Sequence, residues 1–442
     1  MSEHAPQVCD LIIEAGLIVP GVPLGQVLHQ HALVIDGGVI VAILPTAEAR
    51  ARFVAHQTHS RPDSVLIPGL VNAHTHNPMT LLRGIADDLP LMVWLQEHIW
   101  PAEGRVISAE FVSDGCRFAI AEMLRGGTTC CNEHYFFPDA QAQTYKKYGF
   151  RARIGLPVID FPTAWAKTDE EYFARAEEVQ AAWQQDALIS MALAPHAPYT
   201  VNDANFRRLH ELSAQWDIPV HLHLHETADE VSGSLKQYGQ RPIARLDKLG
   251  LINERLIAVH MTQLAEDEIQ LCAERGVSVV HCPESNLKLA SGFCPAARLQ
   301  RAGVNLAIGT DGTASNNDLD MLGETRTAAL LAKAVAEDAA ALSAAEALHA
   351  ATLGSARAMG LGEVIGSLEV GKQADIACIA LDALEAQPLY NVISQIVYAI
   401  GRHQVSDVWI AGQPKLIHRK LVEMDEAELA ANARQWQAKV QG

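Results

Sequence analysis

The chain has 442 residues, of which 52 are acidic and 34 are basic, so its formal net charge is −18. Such a negative surface is poorly suited to nucleic acid or to an anionic membrane, and a small-molecule partner is the better expectation. The first residues show no export signal and no apolar stretch is long enough to span a bilayer, so we expect a soluble, cytoplasmic protein. Eight dispersed cysteines, without a Cys-x-x-Cys pair, are expected to be reduced and buried.

The N-terminal stretch has the pattern of short β-strands separated by turns. We predict strands over Asp10–Ile18, Leu33–Ile35 and Val39–Ile43, with a hairpin turn at Gly37-Gly38. No helical period competes with this interpretation. Residues 1–66 are therefore predicted to form part of a β-rich domain.

From Ile67 the pattern changes to a strand followed by a helix, repeated eight times. This alternation predicts a (β/α)8 TIM-type barrel over residues 67–364, with its chemistry at the C-terminal ends of the strands. A doubly wound open sheet is the alternative, but its Gly-rich phosphate-binding turn is replaced here by His-x-His. The predicted strands are Ile67–Ala73, Thr128–Asn132, Ala152–Ile159, Ile189–Ala194, Val220–Leu224, Leu256–Val259, Val277–Val280 and Asn305–Ile308. The helices predicted between them include Ser113–Arg125, Glu170–Gln184, Asp203–Gln215, Glu266–Arg275 and Asp320–Ala336.

The C-terminal stretch, after a predicted helix over Ala344–Met359, returns to β character. Predicted strands cover Gly366–Gly371, Asp375–Leu381 and Val405–Ile410, and a final helix covers Asp425–Val440. Each terminal β-rich stretch is too small to form a good sheet alone. We therefore predict that residues 1–66 and 365–442 combine into one small β-sandwich domain beside the barrel.

Polar residues stand at the ends of most predicted barrel strands. The first strand ends in His74-Thr75-His76, and side chains two residues apart on a strand point to the same side. Paired imidazoles of this kind suit zinc, iron or nickel. Because strand ends converge on one face of a barrel, these residues together predict an active site. The other polar strand-end residues are Asn132, Glu133, His134, His196, His221, His223, His225, Glu226, His260, His281 and Asp311.

A metal centre can be assembled from these strand ends. His74 and His76, one imidazole from the fifth strand and Asp311 from the eighth give three nitrogen ligands and one oxygen ligand. This set leaves a position for water, whose pKa a metal lowers until it becomes a nucleophile.

The fifth strand offers three histidines on one face, so periodicity alone does not decide which of them binds the metal. His223 fits best, because Glu226 then lies beside the metal as an acid or base, with His221 deeper and His225 outside the ligand set. The fourth strand and its end, Ile189–His196, contain no lysine that could be carbamylated to bridge two metals. We therefore expect one catalytic metal ion.

An ordered set of motifs extends over nearly the whole chain: PGLVNAHTH, HLHLHET, AVHMT, HCPESNLKLASG, GTDGTASNN and GSLEVGKQADI. The sequence thereby resembles the amidohydrolase superfamily. The segment HTHNPMTLLRGIADDLPLMVWLQEHIWPAE resembles the 5'-methylthioadenosine/S-adenosylhomocysteine deaminases within it. The resemblance implies a metal-dependent hydrolase that deaminates the adenine ring of a purine nucleoside at C6.

The resemblance also implies roles for individual residues. One divalent metal ion, with zinc the first choice over iron and manganese, is expected on His74, His76, His223 and Asp311. The implied catalytic residues are Glu226, His260 and Asp311. The implied substrate-binding residues are Glu103, His196, Glu226 and Asp311. Asn286 and Lys288 receive no chemical role, and a homo-oligomer, either a dimer or a tetramer, is expected because barrels of this kind often pair.

One departure from the family concerns the substrate tail. Some relatives carry arginines that can grip a homocysteine carboxylate, whereas residues 154–171 here contain none. We predict an apolar tail pocket formed by Phe161, Pro162 and Trp165, and hence a preference for 5'-methylthioadenosine. The alternatives are another aminoheterocycle deaminase, an s-triazine dechlorinase, or a non-catalytic scaffold, the last of which predicts a missing ligand or acid/base.

Overall fold

The structure, a computed structural model, describes residues 6–441. Over these residues the chain forms two eight-stranded sheets. One sheet combines strands from both ends of the chain, and the other is the barrel. Residues 1–5, which hold much of the stretch predicted to lack an export signal, and residue 442 lie outside the described residues.

The N-terminal segment supplies four strands of the terminal sheet: β1 (Gln7–Ile18), β2 (Leu28–Asp36), β3 (Val39–Pro45) and β4 (Phe53–Pro68). Strands β2 and β3 are antiparallel, with Asp36 paired to Val39, so the predicted hairpin is confirmed. β1 pairs in parallel with β4, which the sequence did not predict. Most of β4 is polar and not buried, and apart from Phe53 only its last five residues are buried, so the conformation of its polar part depends on pairing with β1.

The barrel consists of eight parallel strands in the order of the sequence, which confirms the predicted fold class. Its first and last strands meet where the amide of Asp311 donates to the carbonyl of His74 at 3.0 Å. The strands are β5 (Leu70–Thr75), β6 (Thr128–Glu133), β7 (Arg151–Val158), β8 (Ile189–Pro195), β9 (Val220–Leu224), β10 (Leu256–His260), β11 (Ser278–His281) and β12 (Asn305–Ile308).

The first predicted barrel strand, Ile67–Ala73, is divided at Gly69 between the two sheets. Ile67 belongs to β4, and β5 begins at Leu70. The amide of Gly69 donates to the carbonyl of Asp375 at 2.9 Å, at the point where the chain leaves the terminal sheet. A Cβ on Gly69 would lie 2.1 Å from Oγ1 of Thr129, so only glycine fits at this crossing.

Helices surround the barrel, and their positions agree with the predicted pattern; the helix over Glu266–Arg275, for instance, has the predicted bounds. Several begin at a capping side chain, as where Ser108 and Thr168 accept from backbone amides three residues later. Two helical stretches contain π-helical turns, at Trp94–Ile99 and at Ala350–Gly354. The helices are α1 (Thr46–Arg52), α2 (Leu91–Val93), α3 (Trp100–Val106), α4 (Ala109–Arg125), α5 (Pro138–Lys147), α6 (Asp169–Trp183), α7 (Asp203–Trp216), α8 (Ala228–Tyr238), α9 (Pro242–Lys248), α10 (Glu266–Arg275), α11 (Pro283–Lys288), α12 (Ala296–Arg301), α13 (Met321–Ala336), α14 (Ala344–His349), α15 (Ser355–Ala358), α16 (Val392–Tyr398) and α17 (Glu426–Gln441). Of these helices, none has the length and apolar character needed to cross a membrane.

The C-terminal segment adds β13 (Ile376–Ala380), β14 (Val405–Ile410), β15 (Gln413–Ile417) and β16 (Lys420–Leu421) to the terminal sheet. β13 pairs antiparallel with β4 and so joins the two ends of the chain. The strand predicted over Gly366–Gly371 is wrong. Gly366 and Gly371 have φ angles of 90° and 97°, which strand backbone does not adopt, and the segment forms turns.

A buried ion pair connects the terminal sheet to the barrel. Arg151 on β7 donates from Nε to Asp375 Oδ2 at 2.8 Å and from Nη2 to Oδ1 at 3.1 Å. Asp375 also accepts from the amide of Ala411 at 2.8 Å. The bidentate geometry satisfies the carboxylate, as a buried charge requires.

The crossing at Gly69 gives a test of the fold. We expect Gly69→Ala to destabilise the protein by about 1–3 kcal/mol, because the added methyl overlaps Thr129 in a packed region. Gly233→Ala is the matched control: it lies exposed in α8 with nothing within 4 Å, and alanine should stabilise the helix by about 0.5–1 kcal/mol. Chemical denaturation measures both changes, and equal stability of the two variants would contradict the steric argument.

Candidate active site

Four predicted ligands converge at the C-terminal end of the barrel. The donor atoms of His74, His76, His223 and Asp311 lie within 4.8 Å of one another. Asp311 Oδ1 is 3.2 Å from Nε2 of His74 and 3.2 Å from Nε2 of His76. Nε2 of His223 is 3.3 Å from Nε2 of His76. The structure thus brings together the whole ligand set expected from the sequence.

The ligand rings are oriented by hydrogen bonds at their outer nitrogens. Nδ1 of His76 donates to the carbonyl of His134 at 2.5 Å, and Nδ1 of His223 donates to the carbonyl of His196 at 2.6 Å. A carbonyl oxygen only accepts, so the proton of each neutral ring is on Nδ1. Nε2 is then left with a free lone pair facing the cluster, which is the form that binds a metal.

His221 and His225 have other contacts, which separates them from His223. Nε2 of His221 is 2.8 Å from Nδ1 of His74, so His221 supports a ligand from behind. Nε2 of His225 accepts from the amide of Ile243 at 3.2 Å, on the far side of the strand end. These contacts favour His223 as the metal ligand of the fifth strand.

Asp311 is held rigidly at the end of β12. Its backbone has a φ of 61°, an uncommon conformation for a residue with a side chain. Oδ1 accepts from the amide of Gly312 at 2.8 Å, while Oδ2 accepts from the hydroxyls of Ser285 at 2.6 Å and Ser315 at 3.1 Å. One carboxylate oxygen is therefore fixed by hydroxyls and the other faces the imidazoles.

The charges of the cluster favour a bound cation. Burial lowers the pKa of His74 to about 3 and the pKa of His223 well below its usual value, so both rings are neutral. Burial also lowers the pKa of His76, but the neighbouring Asp311 carboxylate and the carbonyl of His134 together outweigh it and the net shift is upward. The neighbouring imidazoles of His74 and His76 hold the pKa of Asp311 well below its ordinary value despite burial. Imidazole nitrogens around an ionised carboxylate are the donor set of a divalent metal, and the residues fit it.

Glu226 and His260 lie beside the ligand set. Oε2 of Glu226 is 3.9 Å from Nε2 of His260, and burial raises the pKa of Glu226. Nδ1 of His260 donates to Oδ1 of Asn286 at 2.9 Å, which directs Nε2 toward Glu226. Asn286, for which the sequence predicts no chemical role, orients His260 through this contact. Lys288, by contrast, bonds to Asp87 and Asn317.

A pocket of about 310 Å³ opens above the cluster, and Glu226, His260 and Asp311 form its polar end. Glu103 and His196 also line it, as predicted. Oη of Tyr135 donates to Oε1 of Glu103 at 2.5 Å, a contact that the sequence gave no signal for. Burial raises the pKa of Glu103 to about 7 and lowers that of His196 to about 4.

The far end of the pocket is apolar. Phe161 and Pro162 line it as predicted, but Trp165 does not. Trp165 is 2% exposed and packs against Tyr172, with ring centroids 5.7 Å apart, so it belongs to a small core cluster. The π-helical turn Trp94–Ile99 supplies apolar lining residues that the sequence did not predict. The additional apolar lining residues are Leu91, Trp94, Leu95, Ile99, Trp100 and Ile107.

Comparison with known proteins gives matches over nearly the whole chain. The amidohydrolase family model matches residues 65–415. A 5-methylthioadenosine/S-adenosylhomocysteine deaminase from Teredinibacter turnerae is 45% identical over 431 residues, which cover 98% of each chain. A 5'-deoxyadenosine deaminase from Methanopyrus kandleri is 41% identical over 371 residues, covering 84% of this chain and 85% of the relative. A crystal structure of an adenosine deaminase from Xanthomonas campestris with bound zinc is 69% identical, covers 99% of this chain and 100% of that chain, and has a TM-score of 0.98.

The three histidines of β9 provide a test of the ligand set. We expect His223→Asn to lose most of its metal, because a ligand is removed. His221→Asn should weaken metal binding by about 10–100-fold, as for an outer partner of a ligand. His225→Asn is the matched control and should keep the affinity of the unchanged protein. Metal content after dialysis and competition with a chelator measure all three, and metal loss in His225→Asn equal to that in His223→Asn would contradict the assignment.

Proposed function

The chain belongs to the amidohydrolase family, among the 5-methylthioadenosine/S-adenosylhomocysteine deaminases, and from that premise we propose that it hydrolyses the C6 amine of 5'-modified adenosines. The observation that carries this proposal is the pocket itself. At one end it presents the metal-ligand cluster together with Glu226, and along its side it presents the buried carboxylate of Glu103. Deamination of the purine ring requires the metal-ligand cluster and Glu226, and binding of the ribose hydroxyls requires an acceptor such as Glu103.

We propose one zinc ion as the cofactor, held by His74, His76, His223 and Asp311. The bound zinc in the 69% identical crystal structure supports this identity. The end of β8 lacks a lysine to bridge a second metal, which supports a single ion. When bound, the metal lowers the pKa of water and so supplies hydroxide near neutral pH.

The chain's own residues then move the protons. Asp311, ionised and fixed by Ser285 and Ser315, accepts the proton of the attacking water as the C6–O bond forms. Glu226, whose pKa burial raises, donates to ring nitrogen N1 and prevents negative charge from building there. The proton on Asp311 passes to the amine, the C6–N bond breaks and ammonia leaves, while the remaining hydroxyl proton returns to Glu226 as the C6 carbonyl forms. His260 orients the water through Nε2.

Glu103 distinguishes a nucleoside from a free base. A carboxylate accepts hydrogen bonds from the two ribose hydroxyls, whereas a free base or a triazine has no diol to offer. Tyr135 fixes one oxygen of Glu103, and His196 lines the same pocket. These residues favour the nucleoside over the aminoheterocycle and triazine alternatives. The complete set of ligands and the buried Glu226 are evidence against a non-catalytic scaffold.

The lining of the tail region supports a small, uncharged 5' group. Trp100 and Phe161 pack edge to face there with ring centroids 6.0 Å apart, and no lysine or arginine is among the described lining residues. A methylthio group is satisfied by such apolar surface. A homocysteine tail brings a carboxylate and an ammonium that find no partner in it.

The role of Glu226 predicts a specific kinetic defect. We expect Glu226→Gln to lower kcat by about 10²–10⁴-fold, because an amide cannot protonate N1. Metal content should be unchanged, since Glu226 is not a ligand. Asp229→Asn, three residues later on the exposed surface, is the control and should turn over normally. Near-normal kcat in Glu226→Gln would remove the proposed role.

The lining of the tail region predicts the order of substrates. We expect kcat/KM for 5'-methylthioadenosine to exceed that for S-adenosylhomocysteine by at least about tenfold, because an unpaired carboxylate in an apolar pocket costs at least about 1.4 kcal/mol. Ultraviolet-monitored assays on zinc-loaded protein, with adenosine and guanine as further substrates, measure this. Phe161→Arg should bring the two kcat/KM values closer together, because the arginine gives the homocysteine carboxylate an ion-pair partner. Equal or better use of S-adenosylhomocysteine by the unchanged protein would contradict the tail argument.

A further inference from the structure

Glu133 is a buried carboxylate next to the metal-ligand cluster that is neither a ligand nor part of the chemistry above. It ends β6 and is fully buried. Both of its oxygens lie 3.1 Å from the amide nitrogen of Asn77. Oε1 also accepts from the amide of His134 at 3.2 Å, and Oε2 accepts from Oη of Tyr145 at 2.9 Å. Neutral donors therefore surround a group that normally pairs with a cation when buried.

The two backbone amides held by Glu133 belong to residues that fix one metal ligand. Asn77 directly follows His76, so its amide sets where the chain leaves the ligand. His134 supplies the carbonyl that accepts from Nδ1 of His76 at 2.5 Å. The backbone and the ring orientation of His76 thus both depend on the same carboxylate.

The network continues to the ligand His223 and to Thr75, the residue between the ligands His74 and His76. The ring of His134 stacks on the ring of His223, with centroids 4.7 Å apart. Nδ2 of Asn77 donates to Oη of Tyr145 at 2.6 Å, and Oδ1 of Asn77 accepts from Oγ1 of Thr75 at 2.8 Å. Thr75 is the last residue of β5 and directly precedes His76.

We propose that Glu133 is a positioning residue of the metal centre, which acts by holding His76 through the amides of Asn77 and His134. This inference rests on the metal-binding part of the proposed function but not on the identity of the substrate. It assigns Glu133 a task that burial and packing alone would not require.

The chemistry of the donors explains why a carboxylate is needed at this position. A carboxylate only accepts, so it can satisfy two amides and a hydroxyl at once. Glutamine has the same shape, but its NH₂ group would face one of these donors and leave it unsatisfied. Glu133→Gln should therefore let His76 move while the volume of the site is kept.

Zinc affinity is the measurement that tests the proposal, since it needs no substrate. We expect Glu133→Gln to raise the Kd for Zn²⁺, measured by competition with a chromophoric chelator, by about 10–100-fold. Release of zinc to excess chelator should be faster as well. Tyr145→Phe removes one donor to Glu133 and should raise the Kd roughly threefold.

Asp375→Asn is the matched control, because Asp375 is also a buried carboxylate held by a backbone amide but lies where the terminal sheet meets the barrel. It should lower thermal stability without changing the Kd for Zn²⁺. Unchanged zinc affinity in Glu133→Gln, or loss of affinity equal to that in Asp375→Asn, would overturn the proposal. If Glu133→Gln does not fold, Tyr145→Phe decides: a raised Kd supports the proposal and an unchanged Kd overturns it. Absence of nucleoside turnover in the unchanged protein would reject the proposed substrate and leave the zinc result valid.

Discussion

The arrangement of the site depends on where each ligand histidine keeps its proton. In a neutral imidazole one nitrogen donates and the other accepts, so a buried acceptor at Nδ1 decides that Nε2 is free. Two backbone carbonyls do this for His76 and His223, and Nδ1 of His74 lies 2.8 Å from Nε2 of His221. The ends of neighbouring barrel strands supply these acceptors. The fold therefore determines which nitrogen of the His76 and His223 rings carries the proton.

The backbone conformation at the strand ends also arranges the side chains of the site. His225, His260 and Asp311 all have positive φ angles, of 53°, 76° and 61°. Residues with side chains adopt this region at a cost, and such strain is found mainly where a site requires it. In each case the strand ends and the chain turns across the mouth of the barrel. The turn places Glu226, His260 and Asp311 around one point that straight strands would not reach.

The sequence predicted the barrel and the ligand set because their signals are local. Strand-to-helix alternation and His-x-His can be read within short windows, whereas several other features depend on contacts between distant segments. β4 is a strand because β1 and β13 pair with it, and the predicted first barrel strand is divided at Gly69, where the chain passes from the terminal sheet to the barrel. The sequence predicts Trp165 in the pocket because Phe161 and Pro162 are close to it in the chain. In the structure Trp165 packs against Tyr172 on the following helix and is part of a small core cluster. The roles of Asn286 and Tyr135 could not be predicted from the sequence, since each acts through one side-chain contact across the fold.

Three buried carboxylates around the ligand cluster link metal binding to protonation. Burial raises the pKa of Glu103 to about 7, the pKa of Glu133 to about 7, and the pKa of Glu226 above its ordinary value. A divalent cation nearby favours the ionised form of each, so metal binding and proton release are coupled. Glu226 differs from the other two because the negative charge of Asp311 also raises its pKa. The negative charge of Asp311 would likewise offset part of the charge of a bound metal ion toward Glu226.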